Sequence, residues 1–112
     1  MRVISQDGTI DVPYEEVLIT LGCSGDKREY HINGHLIYKE GSSSVKIASY
    51  STEEKAKKAM EMLRIAYENN EFYHHVANSK HFTEFTQALS EEMFKKATTK
   101  YFRFPQDDEI EV

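Results

Sequence analysis

The stretch "ASYSTEEKAKKAMEMLRIAY", residues 48–67, predicts the end of a β-strand followed by an amphipathic helix. Ser51 and Glu54 have the spacing of a capping box, in which each side chain bonds a free backbone N–H of the first turn. The helix is therefore expected to span 52–69 and to end at Asn69-Asn70. Its apolar residues form a single stripe, made of Ala56, Ala59, Met60, Leu63 and Tyr67. This stripe is expected to face the core.

A hairpin and a second strand are predicted before this helix. Asp7-Gly8, flanked by alternating apolar residues, is typical of a two-residue hairpin turn and sets Val3 opposite Val12. The run "VLITL", residues 17–21, is rich in β-branched residues and leucine, which favours another strand.

Two segments between residues 30 and 50 also have strand character. The sequence "YHINGHLIY", residues 30–38, admits two interpretations. Either Asn33-Gly34 closes a tight hairpin, which we favour, or Gly34 is a bulge inside one longer strand. Residues 45–50 alternate and predict a strand. The side chains expected on one face of that strand are Val45, Ile47 and Ser49.

A second helix and a terminal strand are expected after residue 70. The segment 71–77 is either a helical turn or an irregular loop, and the second helix is expected from about Asn78 to Thr98. Its stripe comprises Phe82, Phe85, Leu89, Met93 and Ala97. Residues 100–105 alternate like a strand. The sequence therefore predicts an α+β fold: an antiparallel, hairpin-rich sheet with two amphipathic helices packed on one face and a C-terminal strand.

Composition indicates one domain, residues 1–104, followed by an acidic tail, residues 105–112. The chain has 112 residues, 39% of them hydrophobic, which suffices for a single core. Four of its 19 acidic residues lie in that tail, and the other 15 are balanced by 14 basic residues. A nucleic-acid-binding domain would carry a basic excess, so nucleic acid is an unfavoured partner.

A reducing cytosol is the expected location. No stretch approaches the roughly 18 to 20 consecutive apolar residues of a membrane helix, and the N-terminal residues lack a signal-peptide pattern. The single cysteine, Cys23, has no internal partner for a disulfide, which favours a reducing compartment.

No motif predicts catalysis or a cofactor. The chain lacks a Gly-rich phosphate loop, paired zinc-ligand motifs and a distinctive pair of carboxylates. His31 and His35 are expected to be separated by the turn between them. His74, His75 and His81 form a histidine cluster that leaves a metal-binding protein open as an alternative, although most ligands of a known metal motif are missing.

Two segments are candidates for binding a macromolecule. The aromatic stretch "NNEFYHHVANSKHF", residues 69–82, and the acidic tail are expected to contact a protein partner. The residues concerned are Phe72, Tyr73, His74, His75, Asp107, Asp108, Glu109 and Glu111. Basic residues beside aromatic ones form the alternative, a nucleic-acid patch on the second helix and last strand. They are Lys95, Lys96, Lys100 and Arg103.

Three segments resemble small uncharacterised proteins carried by phages and prophages of Firmicutes. They are "RVISQDGTIDVPYE" at the start, "YSTEEKAKKAMEML" at 50–63 and "FRFPQDDEIEV" at the end. The resemblance implies a mobile genetic element expressed in a bacterial cytoplasm, and it carries over no activity and no catalytic residue. Residues 17–45 and 70–98 show no pattern that aligns.

The expected function is therefore non-enzymatic binding to a host or phage protein. Its most concrete form is an anti-defence inhibitor of the anti-CRISPR type, with a defence nuclease as a candidate partner. An exposed sheet edge would also permit a homodimer.

Overall fold

The computed structural model describes residues 1–26, 28–36, 44–77 and 101–111, with the side chains of 73–77 left aside. Within these ranges lie two three-stranded sheets and one long helix, so the predicted α+β class is confirmed. The elements are β1 (Arg2–Ile4), β2 (Asp11–Pro13), β3 (Val17–Cys23), β4 (Tyr30–Leu36), β5 (Ser44–Tyr50), α1 (Glu53–Ala77) and β6 (Tyr101–Arg103). Short 3-10 turns occupy Tyr14–Glu16 and Asp107–Glu109. The expected single sheet is wrong, because the strands form two sheets, β2-β1-β6 and β3-β4-β5.

The first hairpin has the predicted register, with Val3 opposite Val12 and both side chains buried. Its turn is fixed by the Asp7 carboxylate, which accepts bonds from the Ser5 hydroxyl at 2.7 Å and the Thr9 backbone N–H at 3.0 Å. These bonds, above all the one from Ser5, lower the pKa of Asp7 to about 2. Gly8 completes the turn at φ +79°, a conformation that glycine adopts at little cost.

The favoured hairpin at Asn33-Gly34 is wrong. Tyr30–Leu36 is one continuous strand, paired antiparallel with β3 on one side and β5 on the other. Gly34 lies opposite Ile19, and a Cβ atom there would meet Ile47 Cδ1 at 2.5 Å. The glycine therefore serves close packing inside the sheet, not a reversal of the chain.

The alternative interpretation, a bulge at Gly34 of β4, is also wrong, because the bulge lies in β5. Its partners in β4 shift between Ile32 and Asn33, so Ile47 is the extra residue of a bulge. Ile47 and Ala48 are both buried, and the buried face continues through Tyr50. The prediction that Ser49 shares the face of Ile47 is wrong, because the bulge exchanges the two faces at this point.

Helix α1 covers the inner face of the β3-β4-β5 sheet. Ala56, Ala59 and Leu63 are buried as predicted, and Met60 packs against them. The predicted capping box is wrong: the hydroxyl of Thr52, not of Ser51, accepts the backbone N–H of Lys55 at 3.2 Å.

The predicted end of α1 is also wrong, because the helix runs on to Ala77. Asn70 lies inside it, 3% exposed. The segment 71–77, left open between a helical turn and a loop, is the last part of this helix. No helix in the described ranges has the length and apolarity needed to cross a membrane.

The C-terminal residues return to the first hairpin. The predicted strand is confirmed, and β6 pairs in parallel with β1, setting Val3 beside Phe102. The segment predicted as a tail from residue 105 packs on the domain as far as Ile110, which is a core residue at 5% exposure. The second predicted helix, from about 78 to 98, lies outside the described residues.

Candidate functional site

Three large apolar side chains of α1 are exposed outside its buried stripe. Met62 is 37% exposed, Ile65 43% and Phe72 54%. Successive helical residues turn by about 100°, which sets Ile65 and Phe72 opposite the buried stripe and Met62 at its flank. We call them the outer apolar face of α1. Their spacing spreads them over about 15 Å of the helix.

Of the predicted partner-binding residues, Phe72 belongs to the outer apolar face. Tyr73, His74 and His75 follow it on the backbone of the same helix, and their side chains are not described. His81 of the histidine cluster lies outside the described residues. Among the residues that are described, no three histidine, cysteine, aspartate or glutamate side chains converge as metal ligands would.

Two of the four acidic residues of the C-terminal segment accept hydrogen bonds: Asp107 bonds the start of α1, and Glu109 accepts the Gln106 backbone N–H at 2.9 Å. The Asp107 carboxylate accepts the Ser51 backbone N–H at 2.7 Å and the Lys55 ammonium at 3.1 Å. The bond from Ser51 is the main cause that lowers the pKa of Asp107. This carboxylate therefore holds the segment to the start of α1. The side chains left at the surface are Asp108, Glu109 and Glu111.

Only Arg103 of the predicted basic patch falls within the described ranges. Its guanidinium donates to the Gln6 carbonyl at 3.3 Å. Lys95, Lys96 and Lys100 lie outside those ranges. The one member that can be placed therefore supports the fold of the first hairpin.

The outward face of the β3-β4-β5 sheet carries histidines on one strand. His31 and His35 lie on the same side of β4, which corrects the expectation that a turn separates them. The Thr20 hydroxyl is 2.9 Å from His35 Nε2, and Glu29 lies 3.5 Å from His31 Nδ1. The Ser49 hydroxyl bonds Glu29 and is the main cause that lowers the pKa of that carboxyl. The Thr20–His35 and Ser49–Glu29 pairs are hydrogen-bonded, whereas His31 Nδ1 is buried and has no hydrogen-bond partner among the described residues.

The two outer strands of this sheet end its hydrogen-bond ladder differently. In the described part of the chain, β3 pairs with β4 alone, and we call its other side the open edge. Leu18 on this strand is 58% exposed. A groove of about 590 Å³ runs between β3 and α1, with Tyr14, Ile19 and Met60 among its lining residues. Sequence reasoning found the strand but not its place at an edge.

The side of β5 away from β4, which we call the closed edge, is occupied by Gln6. The Gln6 backbone N–H bonds the Ile47 carbonyl at 2.9 Å. Its side-chain amide accepts the Ser49 N–H at 3.0 Å and donates to the Ser49 carbonyl at 3.1 Å. The same amide donates to the Pro105 carbonyl at 3.1 Å. One residue thus links the two sheets and the C-terminal segment.

Known proteins add no family to this geometry. Comparison with protein-family models, with curated proteins and with solved structures finds no match.

Proposed function

We propose that the protein is a non-enzymatic binding protein of a mobile genetic element and acts by protein–protein contact in the bacterial cytoplasm. Its most concrete form is an anti-defence inhibitor of the anti-CRISPR type, whose partner is a host or phage protein such as a defence nuclease. The observation that carries this proposal is the outer apolar face of α1. The resemblance of the sequence to phage and prophage proteins supports the cellular context.

The outer apolar face suits recognition by a partner that offers an apolar groove. A helix that docks in this way places anchor side chains along one face, three, four or seven residues apart. Met62 and Ile65 are three apart, and Ile65 and Phe72 are seven apart. Apolar side chains aligned along one face indicate an interaction site more strongly than isolated ones do. Their burial against a partner would release the water that now covers them.

The direct test is protection of a phage from a defence nuclease. The chain is expressed in a bacterium that carries an active CRISPR nuclease, and the plating of a targeted phage is measured. We expect plating to be restored and the purified nuclease to bind the purified chain. Ile65→Lys places a charge within the contact, so we expect its dissociation constant to rise about tenfold or more.

Leu18→Lys is the matched control, because it makes the same kind of change at an exposed apolar residue of β3, outside the outer apolar face of α1. It should leave the nuclease affinity unchanged per chain. Circular dichroism of both variants verifies that each is folded. Equal nuclease affinity for wild type and Ile65→Lys would remove the outer apolar face from the proposal. Failure to restore plating against every nuclease tested would refute the anti-defence role.

A further inference from the structure

The open edge of β3 lacks the features by which natural sheets prevent further strand pairing. Exposed edges are usually protected by lysine, proline, a bulge or a very short strand. The seven residues Val17–Cys23 include no charged residue and no proline, and their pairing with β4 is continuous. Within the described ranges, the strand thus presents unpaired backbone donors and acceptors along one side, beside a groove whose lining combines apolar residues with Lys57, Glu61 and Arg64.

Two copies of β3 can pair antiparallel with complementary side chains opposite each other. In an antiparallel pair, residues directly opposite each other share a face of the sheet. If Thr20 pairs with its own counterpart, all seven residues find partners. On the groove side, Val17 then meets Cys23 and Ile19 meets Leu21.

The side chains on the outward side of β3 also fit together in this register. Leu18 of one copy would lie opposite Gly22 of the other, so the most exposed apolar side chain of the strand meets the residue that has none. The two Thr20 side chains would meet at the centre, and threonine pairs are favourable across antiparallel strands. No pair in this register brings like charges together.

We propose that two copies of this chain pair along β3 about a two-fold axis at Thr20. The β3-β4-β5 sheets of the two copies then form one antiparallel sheet of six strands, with both α1 helices on the same face. A stable dimer buries about 800 Å² on each partner. That area is larger than a strand edge supplies, so the contact extends onto the groove wall at Tyr14 and Met60. This dimer is independent of the outer apolar face and of the proposed function.

Disulfide trapping tests the register. In a Cys23→Ser background, Thr20→Cys should oxidise to a covalent dimer, because Cα atoms of directly opposite residues lie about 4.5 to 5.5 Å apart, within disulfide reach. Lys46→Cys, on the closed edge, is the control and should stay uncross-linked. In the same background, Leu18→Cys and Gly22→Cys should cross-link when the two chains are mixed and not when each is alone. Equal cross-linking of Thr20→Cys and Lys46→Cys would overturn the proposal.

Sedimentation velocity tests the dimer without cysteine chemistry. Wild type should sediment as a dimer, and Leu18→Lys should raise the dissociation constant about tenfold or more, because the added charge faces the neighbouring strand. Ile65→Lys should remain a dimer, which separates this surface from the outer apolar face. Circular dichroism verifies the fold of each variant. A monomeric wild type at high micromolar concentration would refute the proposal, whether or not the chain binds another protein.

Discussion

The open edge and the closed edge belong to the same sheet but are built in opposite ways. β3 is regular, uncharged and paired on one side within the described residues, whereas β5 carries a bulge, Lys46 and the bonds of Gln6. The bulge turns the Ile47 carbonyl toward Gln6, and the glutamine amide then bonds the backbone of Ser49 as a neighbouring strand would. The difference shows that an edge is closed by specific polar contacts as well as by composition.

The largest effect is expected from removing the amide that closes β5. Gln6→Ala deletes the three side-chain bonds to Ser49 and Pro105. At a net value of about 1 kcal/mol each, the free energy of unfolding should fall by about 3 kcal/mol. Urea denaturation measures it. Gln106→Ala is the matched control, since it removes one bond, from its amide to the Gln6 carbonyl at 2.7 Å, and should cost about 1 kcal/mol. Equal losses would show that Gln6 has no special place at this edge.

The next largest effect is expected in the strand between the two edges. Gly34→Ala places a methyl group 2.5 Å from Ile47 Cδ1 and 3.1 Å from Val17 Cγ2. Both neighbours are buried, so the free energy of unfolding should fall by about 1 to 3 kcal/mol through overpacking. Gly25→Ala is the control, because a Cβ there meets nothing within 4 Å, and its change should stay within about 0.5 kcal/mol. A neutral Gly34→Ala would contradict the role given to this glycine.

A smaller effect is expected at the segment that covers the end of the closed edge. Asp107→Ala removes a carboxylate that accepts a backbone N–H beside the helix start, at a cost of about 1 kcal/mol at pH 7. Its side chain is 41% exposed, so solvent screens its pairing with Lys55. Asp107→Asn keeps an acceptor for Ser51 and should lose less.

The pH dependence of this contribution has a definite sign. The folded pKa of Asp107 is lowered from the unfolded value of 3.8, so the ionised carboxylate stabilises the fold above about pH 4. The contribution declines as the pH falls below 3.8 toward the folded pKa. Thermal unfolding of wild type and Asp107→Ala should therefore converge in acid. A difference that stays constant from pH 7 to pH 3 would count against the assignment.

The smallest effect is expected from the charge on the closed edge. Lys46 lies 3.8 Å from Glu29 with its side chain 56% exposed, so Lys46→Leu should change the free energy of unfolding by less than about 0.5 kcal/mol. If Gln6 closes this edge, the variant should also keep the oligomeric state of wild type in sedimentation. New association through β5 would show instead that the lysine protects it.

Features set by neighbours in sequence were predictable, and those set by distant contacts were not. The Asp7-Gly8 turn and the stripe of α1 follow from local chemistry and spacing. The bulge in β5 depends on how Ile47 fits over Gly34, thirteen positions earlier in the chain. The sequence alone does not show that Ile47 and Gly34 lie so close together in space.

The candidate site shows the same division. The sequence identified Phe72 as a partner-binding residue, because aromatic residues were dense around it. It missed Ile65 on the same face, because the predicted helix end at Asn69-Asn70 separates Ile65 from Phe72. The sequence predicted an exposed sheet edge but not that β3 forms it, because the position of a strand in a sheet depends on topology.

The bonds of Gln6 also indicate which contacts form late when the chain folds. Its amide bonds residues 43 and 99 positions away, and Gln106, 100 positions away, donates to its carbonyl. Contacts between residues so far apart in sequence form late, because a long loop must close before they stabilise anything. During synthesis, the N-terminal hairpin can therefore complete its bonds to Pro105 and Gln106 only after almost all of these 112 residues have been made.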